Sequence, residues 1–135
     1  VRVVLRSGMP VELVGWDIST TSAVVTEQRR DELRALQSEL ADFSMDIQAT
    51  LQAYAFEETR LDGPDFPDPI AVAHAIDPAP ATSEFLGVDI AIGPDPMRGT
   101  LIVDHYGFAQ MKPNATIVTH YPEDTFFAML HELLG

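Results

Sequence analysis

The spacing of apolar residues changes several times along the chain, and each change marks an element. Val1 to Leu5 is a mainly apolar run halted at Ser7-Gly8, which reads as the last turn of a helix with glycine ending it. The run starts abruptly, so the chain is expected to begin inside a longer domain. Val11 to Trp16 reads as a buried strand. Asp17-Ile18-Ser19-Thr20-Thr21 then suits a turn at that strand's carboxyl end, the edge where α/β proteins place their sites.

Helical spacing follows. Thr26 can cap a helix in which Leu33, Leu36, Leu40 and Phe43 recur every three or four residues, and Ser44 can cap a second with Ile47, Leu51 and Tyr54 on one face. An acidic, proline-broken loop spans Leu61 to Pro67. Asp68 then caps and Pro69 opens a short helix that Pro78 stops after Asp77.

Beyond it the period falls to two. Val88, Ile90 and Ile92 alternate with Asp89 and Ala91, Leu101 and Val103 alternate likewise, and the Gly93 to Gly99 segment joins the two runs into a hairpin. Ala115 to Thr119 is a third short strand. Pro122, Glu123 and Asp124 open a final helix whose apolar face carries Phe126, Phe127, Leu130, Leu133 and Leu134. The pattern is that of an α/β protein, and 135 residues make one domain or a piece of one.

Charge narrows the partners. The net charge is −13, with 21 acidic residues against 8 basic ones, so a nucleic-acid phosphate backbone would be repelled. Without cysteine there is no disulfide, thiolate zinc site or cysteine nucleophile, and a cytoplasmic setting is expected. The longest mainly apolar stretch, Ile70 to Ile76, is far shorter than the roughly 20 residues a membrane span needs, so no membrane partner is expected.

Three stretches carry a resemblance. They are Ser7-Gly8-Met9-Pro10 through Val14-Gly15-Trp16-Asp17-Ile18-Ser19, then Asp68-Pro69-Ile70-Ala71-Val72-Ala73-His74-Ala75-Ile76-Asp77-Pro78, then Val88-Asp89-Ile90 through Arg98-Gly99-Thr100-Leu101-Ile102-Val103-Asp104. In order and spacing they resemble the C-terminal portion of the inosine-uridine preferring nucleoside hydrolases. The resemblance implies the C-terminal part of a Rossmann-like fold, a mixed sheet with a β-hairpin and flanking helices. It also implies hydrolysis of the N-glycosidic bond of purine or pyrimidine ribonucleosides to base and ribose, with one Ca²⁺ holding the ribose hydroxyls and the attacking water. Calcium takes six to eight oxygen ligands, mostly carboxylates and carbonyls.

By the same resemblance Asp68 stands where the family has a calcium ligand, alongside the purely local reading of a helix cap. Pro67 occupies the position of a His or Trp in the family and has no proton to donate, so the group that activates the leaving base is missing there. Tyr54 falls near the family's aromatic residues over the nucleobase, although its phase with Ile47 and Leu51 favours core packing. The family's aspartate-rich motif and remaining ligands would lie upstream of Val1, so this chain alone is expected to be inactive or nearly so.

Other residues read more plainly. Trp16 is expected to be buried, Asp17 to bond loop amides, Asp62 and Asp65 to be solvated loop acids, and His74 to be hydrogen-bonded or partly exposed within a short helix. His105, His120 and His131 lack paired ligand spacing. Strands separated from a larger sheet would leave open edges, so self-association into a homo-oligomer is expected. The alternative to an enzyme is a non-catalytic remnant acting as a binding or assembly module.

Overall fold

A computed structural model describes residues 1–94 and 96–135, with the side chains of Phe56 and Glu58 outside the description. The chain divides into two compact units, one of Val1–Val14 with Thr82–Thr119 and one of Gly15–Ala81 with His120–Gly135.

The first unit carries the strands. A helical turn α1 (Arg2–Leu5) is followed by β1 (Glu12–Val14), β2 (Thr82–Leu86), β3 (Val88–Ile90), β4 (Leu101–Val103) and β5 (Ala115–His120), whose last residue passes into the second unit. Gly8, at φ +79°, sits in the left-handed region that glycine enters without penalty, as the reading of a glycine stop expects. The three-stranded sheet has the order β1-β5-β2. β1 runs parallel to β5 with Leu13 opposite Ile117. β2 runs the other way, since Asn114 N donates to Leu86 O at one end while Thr119 Oγ1 donates to Thr82 O at the other. The sheet is therefore mixed.

The predicted hairpin is present, with β3 and β4 antiparallel and Val88 opposite Val103; Asp95, in the connection, lies outside the described residues. Leu5, Val88, Ala115 and Ile117 are buried together, with Leu13, Leu86, Leu101 and Val103 packed on them. Asn114 ties this core at three points: it accepts from Val88 N (2.7 Å) and donates to Leu5 O and Val88 O (both 3.0 Å). Arg2 and Arg6 both donate to the Asp89 carboxylate. Arg2 first, then the Ile90 N–H and the Arg6 charge, lower the Asp89 pKa to about 2.

The second unit is helical: α2 (Trp16–Ser22), α3 (Glu27–Arg34), α4 (Glu39–Asp46), α5 (Ala49–Tyr54), a π-helical turn (Ala55–Thr59), α6 (Pro67–Ile76) and α7 (Glu123–Leu134). Ile18, Leu33, Ile70, Tyr121, Phe126 and Phe127 are almost fully buried. Arg29 of α3 bonds Glu123 and Asp124 at the start of α7 and lies 4.5 Å from the Phe127 ring centroid.

Several expectations need correction. The strand stops at Val14, and Trp16–Ser22 is a helix instead of a turn. The hydroxyls of Thr20 and Thr21 bond back to the carbonyl of Asp17, which lets turn-forming residues sit within a helix. Thr26 caps α3 as expected, accepting from Arg29 N at 3.3 Å. The helix then ends at Arg34, with Gln37 at φ 55°, and Ser38 caps α4 through Ala41 N; Ser44 lies inside α4. An apolar period of three and four runs through such a break unchanged. It also misjudged burial, for Leu40, Phe43, Ile47, Leu51 and Tyr54 form an exposed stripe over α4 and α5.

Candidate functional site

A short strap, residues 63–66, lies antiparallel to residues 23–25 and fixes the approach to α6. Val25 N donates to Pro64 O (2.8 Å) and Phe66 N to Ala23 O (3.0 Å), with Val24 and Asp65 paired between them. The approach is so close that a β-carbon on Gly63 would lie 2.1 Å from Val25 O, so only glycine fits.

The strap brings Asp65 to α2. Oδ2 of Asp65 accepts from Trp16 Nε1 at 2.8 Å and from Ser19 Oγ at 2.6 Å. The Ser19 hydroxyl also lies 2.9 Å from Trp16 O; with one hydrogen to give, the shorter contact to a carboxylate is the stronger bond. Asp65 is thus a half-buried acid held by two donors instead of a freely solvated one, whereas Asp62 is exposed as expected.

Around it lies a pocket of about 160 Å³ lined by Trp16, Leu51, Tyr54, Pro64, Asp65 and Pro67 among others. Trp16 and Tyr54, expected in the core, are 64% and 56% exposed and stand at its walls. The structure therefore gathers Trp16, Tyr54, Asp65 and Pro67 into one concavity. Neither proline brings an N–H to it.

Asp68 is placed differently. The helix begins at Pro67, with Phe66 in the N-cap position, so Asp68 lies in the first turn and is not the cap. Proline fixes a helical φ without needing a hydrogen bond for its nitrogen, which lets α6 start ahead of the aspartate. Asp68 is exposed and lines the end of a different cleft, about 310 Å³ and almost wholly apolar, between α6 and α7 with Val72, Ile76, Phe126, Met129 and Leu133. Its place in the first turn suits a negative charge.

The remaining acids and histidines do not converge. Asp17 is exposed in the first turn of α2, and none of the described hydrogen bonds joins its carboxylate to the loop amides it was expected to bond. His74 is buried edge-on to the Tyr121 ring, 6.1 Å between centroids. Among the described residues no group of three or more His, Asp or Glu side chains is arranged to hold a metal ion. Calcium takes six to eight oxygen ligands, and the described carboxylates do not gather into such a set.

Comparison with known proteins resolves what this arrangement belongs to. The family model "Inosine-uridine preferring nucleoside hydrolase" matches residues 1–128, and the chain belongs to that family. The pyrimidine-specific ribonucleoside hydrolase RihA of Citrobacter koseri is 27% identical over 99% of the chain, and the Escherichia coli K12 protein of the same name is 25% identical over 98%. Among solved structures, an inosine-guanosine nucleoside hydrolase superposes with a TM-score of 0.82 at 26% identity over 98% of the chain. A plant nucleoside hydrolase, PpNRh1, reaches 0.84 at 17% identity, a likeness of fold alone. The chain spans 43% of the length of the two curated relatives and 42% and 43% of the two solved ones. The fold is thus the α/β fold of nucleoside hydrolases. Among the described residues no helix is long and apolar enough to cross a membrane.

Proposed function

We propose that this chain is the part of a nucleoside N-ribohydrolase that supplies one wall of the nucleoside pocket and one calcium ligand, Asp68. The observation that carries this is the family match over residues 1–128, which includes the Asp68-Pro69 helix start and the β3–β4 hairpin in sequence order. The reaction is hydrolysis of the bond between ribose and base. It needs a positioned water, stabilisation of a ribosyl cation-like transition state, and relief of charge on the leaving base. The other calcium donors would come from outside these 135 residues.

Tyr54 is assigned to the nucleobase, on the support of its exposed ring beside Trp16 in the small pocket. Pro67 leaves leaving-group activation to another residue. The relatives carry names for pyrimidine and for inosine-guanosine substrates, so they do not choose a base for this chain.

A second reading, a non-catalytic assembly module, is favoured by the exposed stripe of Leu40, Phe43, Ile47 and Leu51, an apolar helix face of the kind that self-association covers. Ribose release from inosine and uridine with Ca²⁺, by this chain and by any longer polypeptide containing it, separates the two. Calcium-dependent release supports the enzyme. No release from either, with concentration-dependent association in light scattering, supports the module.

A further inference from the structure

The pocket of Trp16, Tyr54, Asp65 and Pro67 contains a carboxylate that neither the sequence resemblance nor the assigned metal ligand uses. Its two oxygens are unequal. Both donors from α2 converge on Oδ2. Among the described residues no hydrogen bond reaches Oδ1, and that oxygen is not among the buried atoms left without a partner, so it stays open to solvent.

The surroundings limit what can approach it. Trp16 and Tyr54 bring aromatic side chains to the pocket, and Pro64 and Pro67 add apolar walls without donors. The Thr59 hydroxyl is occupied with Ala55 O at 2.9 Å. A planar ligand stacked on these walls would meet an acceptor held in place beforehand, an arrangement that fixes orientation at little entropic cost.

We propose that Asp65 is a specificity-determining residue that reads the nucleobase by accepting one of its N–H groups at Oδ1, with Trp16 and Ser19 as its positioning residues. This rests on the nucleoside-hydrolase reading above. A carboxylate accepts and repels other acceptors, so it selects donor-rich edges. Guanine, whose ring N–H adjoins an exocyclic amino group, is preferred. Uracil, whose ring N–H is flanked by two carbonyl oxygens, is disfavoured. A hydrogen bond to a charged group separates two such ligands by about tenfold to a hundredfold in affinity.

Trp16 is the sole tryptophan and lies in the pocket wall, so its emission reports this site alone. Guanosine, uridine and ribose are titrated into the wild-type chain and into Asp65→Asn while Trp16 fluorescence is followed. In the wild type guanosine is expected to quench saturably, uridine at least about tenfold more weakly, and ribose not at all. Asparagine keeps an oxygen for Trp16 and Ser19 and turns an amino donor outward, so uridine should then bind at least as tightly as guanosine. Ser19→Ala, which keeps the carboxylate but frees it, should narrow the wild-type preference.

Equal affinity for the two nucleosides, an unchanged order in Asp65→Asn, or no response of Trp16 to any nucleoside overturns the proposal. Ribose release scored in parallel keeps the two inferences apart. Turnover without the Trp16 response removes the role of Asp65 and leaves the hydrolase, whereas the predicted response without turnover, in a longer polypeptide that brings the other calcium donors, removes the hydrolase and leaves the recognition.

Discussion

Gly63→Ala puts the strap that orients Asp65 to the test. The added methyl would lie 2.1 Å from Val25 O, 2.7 Å from Val25 C and 3.1 Å from Thr26 N, all backbone atoms that cannot swing aside. Relief requires the strap to move by roughly an ångström, a packing strain of about 1–3 kcal/mol. The same movement stretches the 2.8 Å bond from Val25 N to Pro64 O, worth about 0.5–1.5 kcal/mol. Alanine recovers about 0.4–1 kcal/mol by restricting the unfolded chain. The net loss is about 1–4 kcal/mol. Urea denaturation followed through Trp16, which contacts Asp65 across the strap, reads it as a lower midpoint. Gly8→Ala is the contrast: no atom lies within 4 Å of its added carbon, and only the φ of +79° is strained, for about 1–2 kcal/mol. A Gly63→Ala midpoint equal to wild type would refute the close approach and, with it, the fixed position of Asp65.

Other outcomes follow from the same contacts. Asp89 titrates near 2 against an ordinary 3.8, so its contribution to the first unit is complete above about pH 4 and lost as pH falls through about 2. A carboxyl NMR titration gives the midpoint, and Asp89→Asn should flatten the acid limb of hydrogen-exchange protection in β3 and β4. Asn114→Ala leaves Val88 N without its bond and should cost about 1–3 kcal/mol, read by the same exchange experiment. Arg29→Met removes the bonds to Glu123 and Asp124 and the stacking on Phe127; after allowance for exposed partners the expected loss is about 1–2 kcal/mol in urea, and it shrinks in high salt.

The sequence revealed elements that depend on local signals. Thr26 before α3, the alternation at Val88–Ile90 and Leu101–Val103, and the acidic first turn of α7 are each set by neighbouring residues, and each appears in place. What depends on distant partners was hidden. Asp65 reads as a loop acid until the strap brings it to Trp16 and Ser19, 49 and 46 residues away. Asn114, whose three bonds hold the first unit's core, likewise has its partners at Leu5 and Val88. The signal that could have found the site is Gly63, since a glycine ahead of an acidic, proline-rich run marks a close backbone approach as readily as a turn. The apolar stripe from Leu40 to Tyr54 shows the limit of periodicity: spacing aligns side chains on one face but does not say what covers it.

The assignment of Asp68 to calcium is tested most directly by the calcium dependence of ribose release. It is measured on this chain or on a longer polypeptide containing it, comparing wild type with Asp68→Asn and, as a control, Asp62→Asn. Asp68→Asn is expected to raise the calcium concentration for half-maximal release at least about tenfold, the loss of one charged ligand, while Asp62→Asn leaves it unchanged. The same calcium requirement in all three proteins would contradict it.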